Sequence, residues 1–133
     1  MILFDSSVWV AYANGVSNPQ TQQLKSLLSK QKDVFVNATV VQEVLQGFRD
    51  DRQYSIWYGV MSLSTIVLTL PHFEVAIAAV QLYRTLRKKG VTIRKPNDCL
   101  IAAYAIHFDV ELCHNDVDFD HIAAHTDLKI WKP

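Results

Sequence analysis

The chain alternates short, uninterrupted apolar runs with longer stretches of helical period, and that alternation narrows the folds open to it. The runs are Met1–Phe4, Val34-Phe35-Val36 and Leu112-Cys113, with the β-rich Thr65–Leu68 and, broken by Lys129, Leu128–Trp131 as further strand candidates. A strand wet on one face alternates apolar and polar residues, whereas a strand covered on both faces is apolar throughout. Continuous runs separated by helices therefore predict an α/β fold, a three-layer α/β/α domain around a central parallel sheet. In such folds ligands sit beyond the carboxyl ends of the strands.

The helical stretches carry their own punctuation. Ser6 and Ser7 suit the N-cap of a helix over Val8–Ala13, which Asn14-Gly15 ends. Asn18-Pro19 reads as cap and first residue of a helix with Leu24, Leu27 and Leu28 on one face. Asn37 caps a helix bearing Val40, Val41, Val44, Leu45 and Phe48, and another helix runs through Trp57, Val60 and Met61. The longest pattern is His72–Lys89, with Phe73, Ala76, Ile77, Val80 and Tyr83 as its expected core stripe and Gly90 as its stop. Pro96-Asn97 opens a helix from Asp98 to about His107 that is apolar nearly all round, which predicts a central, buried position.

With 133 residues, half of them apolar, the chain suits one compact domain over residues 1–133, and no linker composition divides it. Thirteen basic and thirteen acidic side chains cancel, so any nucleic-acid binding must come from where the charge lies. Cys99 and Cys113 lie in apolar runs, the setting of buried free thiols. No apolar stretch reaches the length of a membrane span, and the start lacks a signal-peptide pattern. A soluble cytoplasmic protein is the expectation.

Four carboxylates stand where this fold would gather them. Asp5 ends the first apolar run, an expensive place for a lone charge. Glu43 lies on the seam between the Val40/Val44/Phe48 stripe and the Gln42/Gln46 face. Asp98 opens the apolar helix, and Asp116 sits in the acid-rich turn His114–Phe119. Each has an ordinary alternative as a cap or dipole partner. Converging carboxylates raise one another's pKa, and a divalent cation relieves that repulsion. All-oxygen ligands point to Mg²⁺ or Mn²⁺, and metal-assisted phosphodiester hydrolysis is the reaction such a site serves. Asp5, Asp98 and Asp116 are the expected metal ligands, with Glu43 and Asp118 as further candidates. Ser6, Ser7, Asn97 and Asn115 adjoin them as supporting groups.

Between Val75 and Asn97 there is no acid, yet Arg84, Arg87, Lys88, Lys89, Arg94 and Lys95 all occur. Arg87–Lys89 fit the end of a helix; Arg94 and Lys95, next to Asp98, are the expected phosphate-binding pair. His121 and His125 have a zinc-compatible spacing but no third ligand, so a solvated helix face is the better account. Tyr12, Trp57 and Tyr104 offer stacking surfaces for bases, although aromatic residues at helical spacing are more often core.

Taken together these blocks resemble the PIN-domain family, and within it the VapC toxins of bacterial toxin–antitoxin pairs. The carriers are Ile2–Trp9, Val41-Gln42-Glu43-Val44, Asn97–Ala105 and Leu112–Asp120, in family order and over nearly the whole chain. The resemblance implies a three-layer α/β fold, Mg²⁺ or Mn²⁺ at the acids, and endonucleolytic cleavage of RNA. It further implies a homodimer inhibited by a small VapB-type antitoxin. Asp5, Glu43 and Asp98 match the family's first three acids. The fourth motif holds both Asp116 and Asp118; Asp116 is favoured because it comes first after the strand, with Asp118 assisting and Asp120 on the solvated face. An RNA-processing nuclease of the same fold and a catalytically silent RNA- or partner-binding module are the alternatives. A receiver-like domain would need an acidic pair near the first strand, and a haloacid-type phosphatase an Asp where Ser7 stands.

Overall fold

The computed structural model describes all 133 residues, Met1–Pro133. Five short strands, β1 (Ile2–Phe4), β2 (Phe35–Asn37), β3 (Ile66–Leu68), β4 (Glu111–Cys113) and β5 (Lys129–Ile130), form one sheet in the order β3-β2-β1-β4-β5. Every pairing is parallel, with Leu3 opposite both Phe35 and Leu112. Seven helices flank it: α1 (Ser6–Ala13), α2 (Pro19–Ser29), α3 (Ala38–Gln46), α4 (Asp51–Ser64), α5 (His72–Lys88), α6 (Pro96–Phe108) and α7 (Val117–Ala123). The expected three-layer α/β/α architecture is what the chain adopts.

The central strands are dry. Leu3, Phe4, Val36 and Leu112 are wholly buried together with Val8, Trp9, Leu24, Leu86, Ile101, Phe119 and Ile122. Tyr12, Phe48 and Trp57 join Trp9 in an aromatic cluster, the Phe48 and Trp57 rings stacked with centroids 6.0 Å apart. Tyr104 is buried as well. These rings pack in or against the core. Cys99 and Cys113 are buried free thiols, and burial pushes them up to about 11 and about 12 respectively. No helix is long and apolar enough to cross a membrane.

Several helix boundaries differ from expectation for a local reason. Asp5, not Ser6 or Ser7, caps α1, its Oδ2 accepting the Ser7 N–H at 3.0 Å. Asn97 is not a cap either; Lys95 holds that position and Pro96 begins α6. Asn18 and Asn37 cap α2 and α3 as expected, Asn18 within a reciprocal capping box with Thr21. Gly90, at φ 82°, follows α5 in the left-handed conformation that glycine tolerates best.

The main departure is the orientation of α5. Its core contacts come from Val75, Ala79, Leu82 and Leu86 together with Tyr83 of the expected stripe, while Phe73, Ala76, Ile77 and Val80 of that stripe are exposed. Both rows have helical spacing, and only packing against α6 chooses between them.

Strand order reverses at β1: the chain builds outward through β2 and β3, then crosses to β4 and β5 on the other side. The carboxyl ends of β1 and β4 therefore flank the crevice where this architecture places ligands. Because α6 immediately precedes β4 and runs back against the sheet, its N-terminus faces the same edge.

Candidate active site

Two strand-to-helix turns build the crevice in the same way. Asp5 follows β1 and caps α1; Asp116 follows β4 and caps α7, its Oδ1 accepting the Asp118 N–H at 3.0 Å. In each, a carboxylate leaves the sheet edge and folds back on the second residue of the next helix. The turns are tied together. The Asp5 N–H donates to the Cys113 carbonyl at 3.0 Å. Ser7 Oγ donates to Asp5 Oδ2 at 2.6 Å and accepts the Asn115 N–H at 3.0 Å. Ser7 thus fixes the first acid against the turn that carries the fourth motif.

Asp98, in the first turn of α6, closes the third side. One carboxylate oxygen from each of Asp98, Asp116 and Asp118 lies within 4.8 Å of the others. Asp116 and Asp118, the two candidates for the fourth position, both lie close to Asp98. Asp5 and Asp98 are each only 4% exposed and Asp118 5%, so three of the four charges are almost out of water. Asp98 is pushed up to about 7, first by burial and then by Asp5, with Asp116 and Asp118 adding to the rise and Lys95 opposing it. Its Oδ2 is buried without a hydrogen-bond partner. A buried carboxylate oxygen with no donor, on a residue that gathers with two further carboxylates, has the donor chemistry a hard divalent cation needs, and these residues fit one.

Glu43 is half-buried on α3, and its Oε1 accepts a hydrogen bond from Ser6 Oγ at 3.3 Å. Burial raises its pKa first and the charge of Asp5 second, while Ser6 and Lys95 pull it down. Asp5 therefore acts electrostatically on both Asp98 and Glu43, although it stands outside the close triad. Of the supporting residues, Ser6 and Ser7 touch acids directly. Asn115 contributes its backbone, and Asn97 is exposed with no side-chain hydrogen bond.

Arg94 and Lys95 were expected to face phosphate, yet they bind the acids. Lys95 Nζ donates to Asp116 Oδ2 at 2.6 Å and Arg94 Nε to Asp118 Oδ2 at 3.3 Å. Burial alone would raise Asp116, but the Lys95 ammonium, the Asp118 N–H and the Arg94 charge hold it below its ordinary value. Both cations remain more than half exposed, so they reach from the rim into the crevice. His114 Nδ1 accepts the Asp116 N–H at 3.0 Å, which leaves Nε2 to donate to Asp120 Oδ1 at 3.2 Å. That role is structural: it holds the turn.

A model of the PIN domain matches residues 2–125. The chain belongs to the PIN-domain family. Among curated relatives of this PIN domain are a VapC ribonuclease of Mycobacterium bovis and ribonuclease VapC11 of Mycobacterium tuberculosis. Each is 36% identical over 97% of this chain and 96% of its own length. Its fold is shared by a VapBC-1 complex from nontypeable Haemophilus influenzae, at TM-score 0.75 and 18% identity over 99% of this chain and 98% of that one. It is shared also by VapBC2 from Rickettsia felis bound to a promoter DNA fragment, at TM-score 0.74 and 18% identity over 98% of both chains.

Sequence reading passed over one part of this PIN domain. Trp131 and Lys132, just past β5, line a groove beside Asp116 with Gln20 and Asn115. The signal was available: β5 ends on the same sheet edge as β1 and β4, so residues following it belong to the crevice's surroundings.

Proposed function

We propose that this PIN domain is a metal-dependent endoribonuclease, the toxin of a VapBC-type pair, and that it hydrolyses RNA phosphodiester bonds with Mg²⁺ or Mn²⁺. The observation that carries the reading is the gathering of Asp98, which has a buried unpartnered oxygen, with Asp116 and Asp118, in a chain 36% identical to VapC ribonucleases over nearly its full length.

Asp98, Asp116 and Asp118 hold the cation, with Asp5 as a further ligand or a neighbouring charge oriented by Ser7. A divalent cation held there supplies Lewis acidity toward the phosphodiester and the attacking water. Glu43, kept on the seam of α3 by Ser6, orients that water and has a raised pKa suited to receiving a proton. Arg94 and Lys95 are long and rim-exposed, placed to pair with the acids from the rim and, were a cation to neutralise those acids, to reach phosphates of a bound strand.

The domain extends in this reading over all of residues 1–133, since β5 lies beyond the matched segment yet pairs with β4. An RNA substrate and a VapB-type antitoxin are the partners, and the two buried, unpaired thiols suit a cytoplasmic setting. A homodimer is supported by the exposed stripe Phe73, Ile77 and Val80 of α5, since one face meeting its own copy buries it twice.

The test is cleavage of a panel of tRNA, ribosomal RNA and messenger RNA with and without Mn²⁺, wild type against Asp98→Asn. Wild-type cleavage that needs the metal and falls by at least about a hundredfold in Asp98→Asn is expected. Equal cleavage by both proteins would sink the mechanism.

A further inference from the structure

Beside the acids runs a groove of about 330 Å³, and Asp116 belongs to both. Its other walls come from three separate elements. Gln20 lies in the first turn of α2, whose position the Asn18/Thr21 capping box fixes. Asn115 is held by its backbone N–H on Ser7 Oγ. Trp131 continues β5, its backbone N–H donating to the Leu112 carbonyl at 2.9 Å, and its half-buried ring rests on the core. Lys132 follows at the rim, exposed.

The chemistry of these walls is uneven in an informative way. Trp131 offers a flat aromatic face anchored at one end. The side-chain amides of Gln20 and Asn115 make no hydrogen bond within the protein, so each presents a donor and an acceptor to the groove. Asp116 and Asp120 make its interior unfavourable to phosphate, whereas Lys132 on one rim and Lys95, bound to Asp116, favour phosphate at the margins. An aromatic platform, two amides and cations outside are the components by which proteins hold one splayed base of single-stranded RNA. The volume lies at the lower end of small-molecule sites, enough for a single nucleoside.

We propose that this groove is a nucleoside subsite, holding one unpaired residue of the RNA next to the cleaved bond. Its base stacks on Trp131 and its edge is read by Gln20 and Asn115. The proposal rests on the ribonuclease reading and adds to it the source of base preference. Placing that residue brings the adjoining phosphate to Asp116 and its neighbours, so the groove sets which bond is cut.

The experiment measures KM, kcat and the base composition flanking the cut on a short single-stranded RNA pool. The proteins are wild type, Trp131→Ala, Trp131→Phe and Gln20→Ala, each checked by thermal melting. Trp131→Ala is expected to raise KM at least about fivefold with a smaller change in kcat, as loss of one base stack does. Trp131→Phe recovers most of that loss. Gln20→Ala, a surface change, alters the base preference at one flanking position even if Trp131→Ala folds poorly. Unchanged KM and an unchanged cleavage profile in both Trp131→Ala and Gln20→Ala, with an active wild type, overturn the subsite alone. That same result is expected if the groove serves a peptide instead. A wild type that cuts neither this pool nor the panel of tRNA, ribosomal RNA and messenger RNA overturns the ribonuclease reading and the subsite with it.

Discussion

Asp98 is the residue whose behaviour is most open to measurement, because a cation held there as proposed must compete with a proton. Its carboxyl titrates near 7 in the folded chain against an ordinary value of 3.8. Between those values the folded state holds a proton that the unfolded state has released, so stability without metal falls as pH rises through that window. Cation binding must expel the same proton, so affinity moves the other way. Calorimetric titration with Mn²⁺ should show tighter binding from about pH 6 to about pH 8, with proton release near the lower end. Asp98→Asn should flatten both trends, and a pH-independent wild-type affinity would contradict the burial-driven rise. Lys95 competes at the same place, because its ammonium already occupies Asp116 Oδ2 at 2.6 Å. Lys95→Met should bind Mn²⁺ severalfold more tightly and single-stranded RNA more weakly. Weakening of both would make Lys95 a structural tie and not an exchangeable one.

At the level of elements, the turns after β1 and β4 matter more than the strands themselves, which are two or three residues long. Helix α3 depends on Asn37, wholly buried, whose Oδ1 accepts the Val40 N–H at 2.9 Å. Asn37→Ala should cost about 1–2 kcal/mol, seen as a melting temperature lower by a few degrees. A larger share of lost activity than of lost stability would show that the cap also aims Glu43. Much at this scale was legible in the sequence. Asp5 and Asp98 were readable because each abuts an apolar run, and Glu43 because it lies on the seam between the apolar and polar faces of its helix. Asp118 was readable as an assistant to Asp116, but the buried place it takes beside Asp98 was not, since it depends on Asp116 capping the first turn of α7. The face of α5 was equally hidden: the rows Val75–Leu86 and Phe73–Val80 have the same period, and contact with α6 selects one of them. Arg94 and Lys95 were located correctly beside Asp98, but sequence carries no record of which partner a flexible cation takes.

For the whole molecule, the unselected face of α5 bears on assembly. Phe73 is 77% exposed, with Ile77 and Val80 one and two turns on. Ile77→Asp should shift sedimentation from dimer toward monomer without lowering the melting temperature of the monomer; unchanged sedimentation would place the dimer contact elsewhere. A different consequence follows from the pairing of Ile2–Phe4 with Glu111–Cys113. The first acid and the last two meet only through contacts spanning most of the chain, and such contacts close late because the intervening loop entropy must be overcome first. A chain still being synthesised has Asp5 and Glu43 in hand for most of its production, but no β4 to align them and no Asp116 or Asp118 to face Asp98. The acidic centre is thus timed by topology: it comes into being only after nearly all of the domain has been made.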